Sequence, residues 1–232
     1  MAFDKFYFLL GGILLFGGLI FIFYNNLYVV GNKKSYTLLS GTQTISQDFE
    51  STVPYALLAP NRDSLMLDDA NISTGAGYGL SFTWSMYLEQ VGPERIWSTS
   101  YAKDKPILRI GDSPHIVYNP KYNILKVIVN YKESPFYAHY PVIELRDLPL
   151  QSWNSYGVVI DNNKVKIYFN GELVVNKVLA NVPVIEATDI TVGEKYNNLV
   201  GKIKDLTVYF RPYDNREIRK ILYRVIPNFI TP

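Results

Sequence analysis

The dipeptide Asn170-Gly171 constrains the fold more than any other feature of the sequence. The residues before it, 164–169, read KVKIYF, in which valine, isoleucine and phenylalanine alternate with other side chains. This alternation has the period of a β-strand. The residues after it, 172–175, read ELVV. Asn-Gly readily supplies the two positive φ angles of a type I′ turn, so the sequence predicts a β-hairpin here.

The hairpin is predicted to belong to a larger antiparallel unit. Pairing across the turn sets Ile167 opposite Val174. A second turn signal, DNN at 161–163, precedes the hairpin, and the apolar run WNSYGVVI at 153–160 precedes that turn. The sequence therefore predicts three antiparallel strands joined as a meander.

Short strand-like segments separated by turn residues continue through the chain from about Tyr55 onward. In GLSFTWSMYL, the side chains of Phe82, Trp84, Met86 and Leu88 alternate on one side. Similar runs are PILRIG, HIVYN, ILKVIVNY, ATDITVG and GKIKDLTVY. With 19 Tyr, 12 Phe and 3 Trp, the composition also favours β-structure. The pattern predicts an all-β antiparallel sandwich.

One helix is predicted near the C-terminus, over residues 214–225. Asp214 with Glu217 three residues later forms a capping box. Apolar side chains then recur at the spacing of one helix face: Ile218, Ile221, Leu222 and Val225. Pro227 ends the helix.

The opposite face of this helix is basic and includes one residue just before it: Arg211, Arg216, Arg219, Lys220 and Arg224. Such a face is a candidate site for phosphates of lipid head groups or of nucleic acid. The acidic residues Asp214 and Glu217 lie within it, so a solvated helix face is the favoured interpretation. The whole chain has 23 basic and 21 acidic side chains, and this balance does not favour a nucleic-acid partner.

Residues 6–24 carry no charge and are predicted to form a transmembrane anchor. Nineteen helical residues rise about 28 Å, close to the thickness of the hydrocarbon core. Tyr7 and Tyr24 lie where aromatic residues favour the interface. A cleaved signal peptide is the alternative, but no small-x-small cleavage site follows Tyr24. Gly11 and Gly18 share one helix face and are candidates for packing against another membrane helix.

The sequence thus divides into an anchor at 1–24, a polar stalk or linker at 25–54 and a sandwich domain at 55–232. Lys33 and Lys34 follow the apolar span, which favours a cytoplasmic domain by the positive-inside rule. Cysteine is absent, which fits a reducing compartment and excludes disulfides and thiolate metal sites. We expect a single-pass membrane protein.

Three segments resemble a known family: SFTWSMYL, LPLQSWNSYGVVIDNNKVKIYFNGELV and ITVGEKYNNLVGKIKDLTVYFRPYDNREIRKIL. They are similar to the strands and closing helix of laminin-G-like, concanavalin A-like jelly rolls, over about residues 55–225. The resemblance implies a jelly-roll β-sandwich, a fold that hosts lectins, adhesion modules, hydrolases and structural domains. Together with the predicted anchor, the chain is also similar to virion membrane or minor capsid proteins of large double-stranded DNA viruses.

Motifs for catalysis are missing from the sequence. The Glu-x-Asp-x-Glu motif that glucanases of this architecture place on one strand does not occur. The chain has only two histidines, His115 and His139, and no Gly-x-Ser-x-Gly elbow. Glu144 and Asp147 are three residues apart, which is the wrong spacing for one strand face. We therefore expect a protein that is not an enzyme.

The sequence offers candidates for two kinds of binding site, a calcium site and an aromatic interaction loop. Candidate oxygen ligands for calcium are Asp68, Asp69, Asp104, Asp112 and Asp161, but they form no recognisable ligand run. Accordingly, no cofactor is expected, with calcium as the open alternative. The aromatic segment SPFYAHYP, at 134–141, offers a candidate interaction loop through Phe136, Tyr137 and Tyr140. That loop suits a glycan or a neighbouring protein.

The sequence favours a structural and interaction protein. It would join a bilayer, through residues 6–24, to structural or capsid proteins, as a minor capsid or virion membrane protein. The alternative is a membrane-tethered carbohydrate-binding or adhesion module, with calcium dependence as one form of it.

Overall fold

The computed structural model describes residues 35–45, 49–54, 79–92, 102–130, 140–183, 185 and 188–225. In these residues the chain forms strands followed by one helix: β1 (Ser35–Ile45), β2 (Glu50–Val53), β3 (Gly79–Leu88), β4 (Lys105–Ile110), β5 (His115–Asn119), β6 (Ile124–Ile128), β7 (Val142–Arg146), β8 (Trp153–Asp161), β9 (Lys164–Phe169), β10 (Glu172–Val178), β11 (Ile190–Gly193), β12 (Gly201–Tyr209) and α1 (Asn215–Val225).

The strands form two six-stranded sheets. The first sheet has the order β1-β12-β3-β8-β9-β10, and the second sheet has the order β2-β11-β4-β5-β6-β7. Neighbouring strands pair antiparallel. The predicted all-β sandwich with a short C-terminal helix is therefore confirmed.

The core lies between the two sheets. On β3 the predicted stripe is buried, with Phe82 and Met86 fully inaccessible to solvent. Trp84 stacks on Tyr156 of β8, with ring centroids 5.5 Å apart. The second sheet contributes the buried side chains Ile116 and Leu125 to the same cluster. In the regular stretches of these strands, alternate residues therefore point to the core, and the residues between them point outward.

The hairpin forms at Asn170-Gly171, where φ is 48° and 85°. These two positive angles are those that the Asn-Gly signal predicts. The predicted pairing of Ile167 with Val174 is wrong, because Ile167 lies opposite Val175. A β-bulge after Leu173 causes the shift. It lets Val175 pack against the core and leaves Val174 exposed.

The prediction of a polar stalk at 25–54 is wrong for β1 and β2. β1 pairs with β12, and β2 pairs with β11, so both strands are part of the sandwich. Their buried side chains belong to the core: Leu38, Leu39, Ile45 and Val53. The physical reason is that β1 and β2 are edge strands of the two sheets, and burial of these apolar side chains in the core stabilises them there. The compact unit that contains the sandwich spans residues 34–232.

Helix α1 begins at the capping box that the sequence predicts. The Asp214 carboxylate Oδ1 accepts hydrogen bonds from the backbone N–H groups of Arg216, at 2.7 Å, and Glu217, at 2.8 Å. In return, Glu217 Oε2 accepts one from the N–H of Asp214, at 3.1 Å. Two donors at the helix start, together with the N–H before it, are thereby satisfied.

The apolar face of α1 packs on the outer face of the first sheet. Ile218 and Leu222 form a small buried cluster with Val159 and Tyr168. Gly157 permits this close approach, since a Cβ there would lie 3.1 Å from the Leu222 side chain. The helix therefore covers part of the sheet surface that faces away from the core.

In the part of the chain that the structure describes, no helix combines the length and the apolar character needed to cross a bilayer. The predicted span at 6–24, with Gly11 and Gly18, lies outside the described residues.

Candidate functional site

The N-terminal end of α1 is fixed to the outer face of the first sheet by polar contacts. Ser81 Oγ accepts a hydrogen bond from the N–H of Tyr213, at 2.8 Å, and donates one to the carbonyl of Arg211, at 2.8 Å. The Tyr168 hydroxyl donates to Asn215 Oδ1. These contacts hold α1 over β3, β8 and β9, and the other end of the same sheet face carries a different set of side chains.

At that other end, the register aligns outward side chains across four neighbouring strands. One row runs from β1 through β12 and β3 to β8: Thr44, Lys202, Tyr87 and Trp153. The next row lies two residues further along each strand: Thr42, Lys204, Ser85 and Ser155. We call six of these residues the outer-face patch: Thr42, Thr44, Tyr87, Trp153, Lys202 and Lys204.

Two aromatic rings form the centre of the outer-face patch. The centroids of Tyr87 and Trp153 are 5.8 Å apart and the rings are tilted by 53°. Lys202 Nζ lies 6.0 Å from the Tyr87 centroid, and Lys204 Nζ lies 5.6 Å from the Trp153 centroid. Each ammonium is within the range of a cation–π interaction, so the rings and the lysines hold one another in place.

The outer-face patch has buried polar neighbours and a polar border. In the next row of the same sheet face, the buried residues Ser85 and Ser155 hydrogen-bond to each other through their hydroxyls, at 3.2 Å. The two rings and the two lysines are half-buried. The border residues Thr42 and Thr44 are exposed, so their hydroxyls are available to a ligand.

The outer-face patch is positively charged. Neither Lys202 nor Lys204 forms an ion pair with any described residue. Asp205 follows Lys204 in sequence, but its Oδ1 accepts a hydrogen bond from the N–H of Gly41, at 3.0 Å. Among the described residues, the contacts of the two ammonium groups are therefore with aromatic rings and not with a carboxylate in an ion pair.

A second group of exposed aromatics lies in a turn of the second sheet and in the loop that leads from that sheet to the first. Tyr122, in the β5–β6 turn, is 60% exposed, and Lys121 Nζ lies 5.1 Å from its ring centroid. Tyr196, in the β11–β12 loop, is 81% exposed and has a φ of 63°. An aromatic residue with positive φ is uncommon and needs support from its surroundings.

Hydrogen bonds supply that support to the β11–β12 loop. Asn198 Oδ1 accepts from the N–H of Glu194, at 2.9 Å, and Asn197 Oδ1 accepts from Lys105 Nζ, at 3.0 Å. Lys105 is buried, and the loss of hydration lowers the pKa of its ammonium, as does the charge of nearby Lys103. The loop is thus built on a buried cation at the start of β4.

The predicted interaction loop is only partly within the described residues. Tyr140 is 46% exposed and precedes β7, an edge strand of the second sheet. Phe136 and Tyr137 lie outside the described residues. Because the outer-face patch is on the first sheet, the structure does not bring Tyr140 into it.

The predicted basic face of α1 is partly engaged by the fold. Arg211 forms an ion pair with Glu217, and its guanidinium lies 4.4 Å from the Tyr213 centroid. Arg219 Nε donates to the carbonyl of Gly171, at 3.1 Å. The remaining residues of this set are Arg216 and Lys220, which are exposed, and Arg224, whose side chain is outside the described part.

Of the candidate calcium ligands, the structure describes Asp104, Asp112 and Asp161, and these three do not form one group. Asp104 accepts hydrogen bonds from Lys126 Nζ, at 3.0 Å, and Asn119 Nδ2, at 2.6 Å. Asp161 forms an ion pair with Lys166, at 3.4 Å. Within the described ranges, no three His, Cys, Asp or Glu residues are grouped to hold a metal. Asp112 is exposed, Asp68 and Asp69 are outside the described residues, and the calcium alternative stays a prediction.

Other residues considered for catalysis have structural contacts. Glu144 Oε2 accepts from Arg146 Nε, at 3.0 Å. His115 Nε2 lies 2.9 Å from the carbonyl oxygen of Gly111. His139 is outside the described residues.

The outer-face patch was not predicted from the sequence, although two signals for it are present there. Lys202 and Lys204 alternate in GKIK, which puts both on one face of a strand. Tyr87 lies between Met86 and Leu88 and so faces away from the core stripe. What the sequence lacks is the register that brings these residues to Trp153.

Comparison with solved structures returns binding domains of botulinum neurotoxins. The serotype D binding domain is 12% identical with a TM-score of 0.57, over 81% of this chain and 46% of that one. The serotype D ligand binding domain in complex with N-acetylneuraminic acid is 14% identical with a TM-score of 0.54, over 83% and 42%. The serotype G binding domain is 15% identical with a TM-score of 0.51, over 64% and 37%.

These similarities establish a shared fold. The chain spans less than half the length of the toxin domains that it matches. No curated protein matches the chain. The predicted similarity to virion proteins rests on the sequence alone and stays a prediction.

The family comparison covers most of the domain. The family model described as the concanavalin A-like lectin/glucanases superfamily matches residues 63–219. This range contains nearly all of the segments that carry the predicted laminin-G-like resemblance, which is confirmed. The two-sheet antiparallel sandwich agrees with it. The chain therefore belongs to the concanavalin A-like lectin/glucanases superfamily.

Proposed function

We propose that the sandwich is a carbohydrate-binding module without catalytic activity, which holds a sugar on the outer-face patch. The observation that carries the proposal is the pair of rings, Tyr87 and Trp153, with their centroids 5.8 Å apart. Ligand sites combine aromatic surface with a few placed polar groups, and the outer-face patch has both. The exposed hydroxyls of Thr42 and Thr44 would hydrogen-bond the sugar while its apolar side rests on the rings.

The chemistry of the outer-face patch favours binding over hydrolysis. Glycoside hydrolysis uses two carboxyl groups about 5 to 9.5 Å apart. The six residues of the patch include no carboxylate. A sugar held there would therefore be bound and released unchanged.

The comparisons support the class of function without supplying the site. The superfamily description names lectins, and one similar toxin domain is recorded with N-acetylneuraminic acid. The toxin domain is more than twice as long as the part of it that matches this protein, so the position of its sugar is not transferred to this protein.

The test uses the full chain in neutral detergent on a glycan array. We expect binding to at least one glycan, and Trp153→Ala should weaken it by about tenfold, since a central aromatic anchor is lost. Tyr122→Ala is the matched control, because Tyr122 is more exposed but lies on the second sheet. Equal losses in both variants, or unchanged binding in Trp153→Ala with an unchanged melting temperature, would contradict the proposed site.

A second candidate function is favoured by the exposed side chains Tyr122 and Tyr196. Tyrosine is enriched at protein interfaces, so this end of the sandwich suits contact with a protein shell. In that role residues 6–24 would anchor the chain in a bilayer, and the domain would join that bilayer to the shell. Co-purification with a shell protein in fixed ratio, abolished by Tyr196→Ala and kept by Trp153→Ala, would support it. Failure to co-purify with a shell protein, or a complex that Tyr196→Ala leaves intact, would contradict this role.

A further inference from the structure

The two lysines of the outer-face patch point to the kind of sugar. Lys202 and Lys204 are alternate residues of β12, so they share one face of the sheet and are spaced about 7 Å along the strand. They are flanked by the hydroxyls of Thr44 and Thr42 on β1. Two cations therefore stand side by side above two rings.

These lysines differ from others on the sheets in how their charge is balanced. Lys126 lies 3.0 Å from the Asp104 carboxylate, and Lys166 lies 3.4 Å from that of Asp161. Lys202 and Lys204 form no ion pair within the described residues. Like charges at this spacing repel each other, and an anion placed between them would relieve that repulsion.

The rings fix where such an anion would bind. Each ammonium is held 5.6 to 6.0 Å from a ring centroid by cation–π attraction. A group resting on the rings would thus have its substituents next to both ammonium groups. Hydrogen bonds from ammonium to an anionic oxygen are stronger than those to a neutral hydroxyl.

We propose that the outer-face patch selects acidic sugars, whose carboxylate or sulfate group is held between Lys202 and Lys204 while the sugar ring rests on Tyr87 and Trp153. This inference rests on the proposed carbohydrate-binding function and adds the substrate class. A neutral sugar of the same shape would leave both ammonium groups without an anionic partner, and so would bind more weakly.

The shape of the outer-face patch favours a sugar over a lipid surface. Its rings are half-buried on the flat face of a sheet. Aromatic residues that enter a membrane interface need to project from the surface. A single sugar ring can reach the half-buried rings from the solvent side.

The first arm of the test compares matched ligands. The full chain in neutral detergent is titrated with a neutral oligosaccharide, its sialylated derivative, its sulfated derivative and soluble glycerophosphoserine. We expect the carboxylated or the sulfated derivative to bind about tenfold more tightly than the neutral parent, with affinity falling as salt rises. Comparison of the two derivatives shows whether the site prefers a carboxylate or a sulfate group.

The outcomes separate this inference from the function on which it rests. Equal and salt-independent binding of neutral and acidic sugars would overturn the inference and leave carbohydrate binding intact. Binding of no sugar in any arm would overturn both. Binding of glycerophosphoserine alone would overturn both in favour of a lipid head group.

Variants locate the selectivity. Lys202→Gln and Lys204→Gln should each lower the affinity for the acidic sugar about tenfold more than the affinity for the neutral parent, so that the preference for the acidic sugar is reduced. The Arg variants at the same positions should keep the preference, because they keep the charge. Lys177→Gln, on the exposed part of β10, is the control and should change neither affinity. The proposal would be overturned if Lys177→Gln lost the preference for the acidic sugar. It would also be overturned if a variant that combines Lys202→Gln and Lys204→Gln kept that preference.

Discussion

At the scale of single residues, the core contains two polar atoms whose cost should be measurable. Tyr156 Oη and Trp84 Nε1 are buried with no hydrogen-bond partner within the described part of the chain. Burial raises the pKa of the Tyr156 hydroxyl, and so does the neighbouring Tyr118. A buried polar group without a partner loses its hydration and gains nothing in exchange.

Removing that hydroxyl should stabilise the protein. We predict that Tyr156→Phe raises the free energy of unfolding by about 1 kcal/mol, because the variant keeps the ring stacked on Trp84 and loses only the orphaned group. Chemical denaturation measures the change. A loss of about 1 kcal/mol or more would mean that the hydroxyl is bonded within the core.

The matched substitution at Tyr168 should lower the free energy of unfolding, whereas the one at Tyr156 should raise it. The Tyr168 hydroxyl donates a hydrogen bond to Asn215 Oδ1 at the start of α1. We predict that Tyr168→Phe lowers the free energy of unfolding by about 1 kcal/mol, since it removes the hydrogen bond that this hydroxyl makes to Asn215. The same denaturation experiment applies, and an unchanged midpoint would show that the bond contributes nothing to stability.

At the scale of elements, the C-terminal helix depends on a titrating cap. Backbone hydrogen bonds from Glu217 and Arg216 hold the pKa of Asp214 below its usual value of 3.8. Because the folded-state pKa is the lower one, the carboxylate stabilises the fold above pH 3.8. That contribution falls as the pH drops through the folded-state pKa.

Two substitutions distinguish the contribution of the hydrogen-bond acceptor of Asp214 from that of its negative charge. We predict that Asp214→Ala at pH 7 lowers the melting temperature by about 2 to 4 °C, because the N–H groups of Arg216 and Glu217 lose their acceptor. Asp214→Asn keeps an acceptor, so it should be milder at pH 7. Its melting temperature should approach that of the unaltered protein as the pH falls through the folded-state pKa of Asp214, which lies below 3.8. A difference that is constant with pH would contradict a role for the carboxylate charge.

Local sequence signals predicted the hairpin turn and the start of the helix. They did not predict the features that depend on tertiary packing. Asn170-Gly171 and the Asp214–Glu217 pair act within a few residues, so the hairpin turn and the helix start were predictable. The register beyond the turn was not, because a bulge turns Val175 toward the core. The polar sequence of β1 predicts a linker, and the structure shows an edge strand much of which is exposed.

At the scale of the whole molecule, the sandwich could be predicted and the candidate site could not. Alternation on one strand reveals which residues face inward, and that is sufficient for the fold. The outer-face patch joins strands that are far apart in sequence, since Tyr87, Trp153 and Lys202 become neighbours only through the register. Helix α1 then leaves this end of the sheet face to the patch, an arrangement that also depends on the assembled fold.

The central claim is that a sugar binds on the outer face of the first sheet. The most direct measurement is a structure of the full chain with the best glycan from the array. We predict that a sugar ring lies within about 4 Å of the Tyr87 and Trp153 rings, with its acidic group between Lys202 and Lys204. A sugar bound instead at the segment 134–141, or at the turns that carry Tyr122 and Tyr196, would contradict the account.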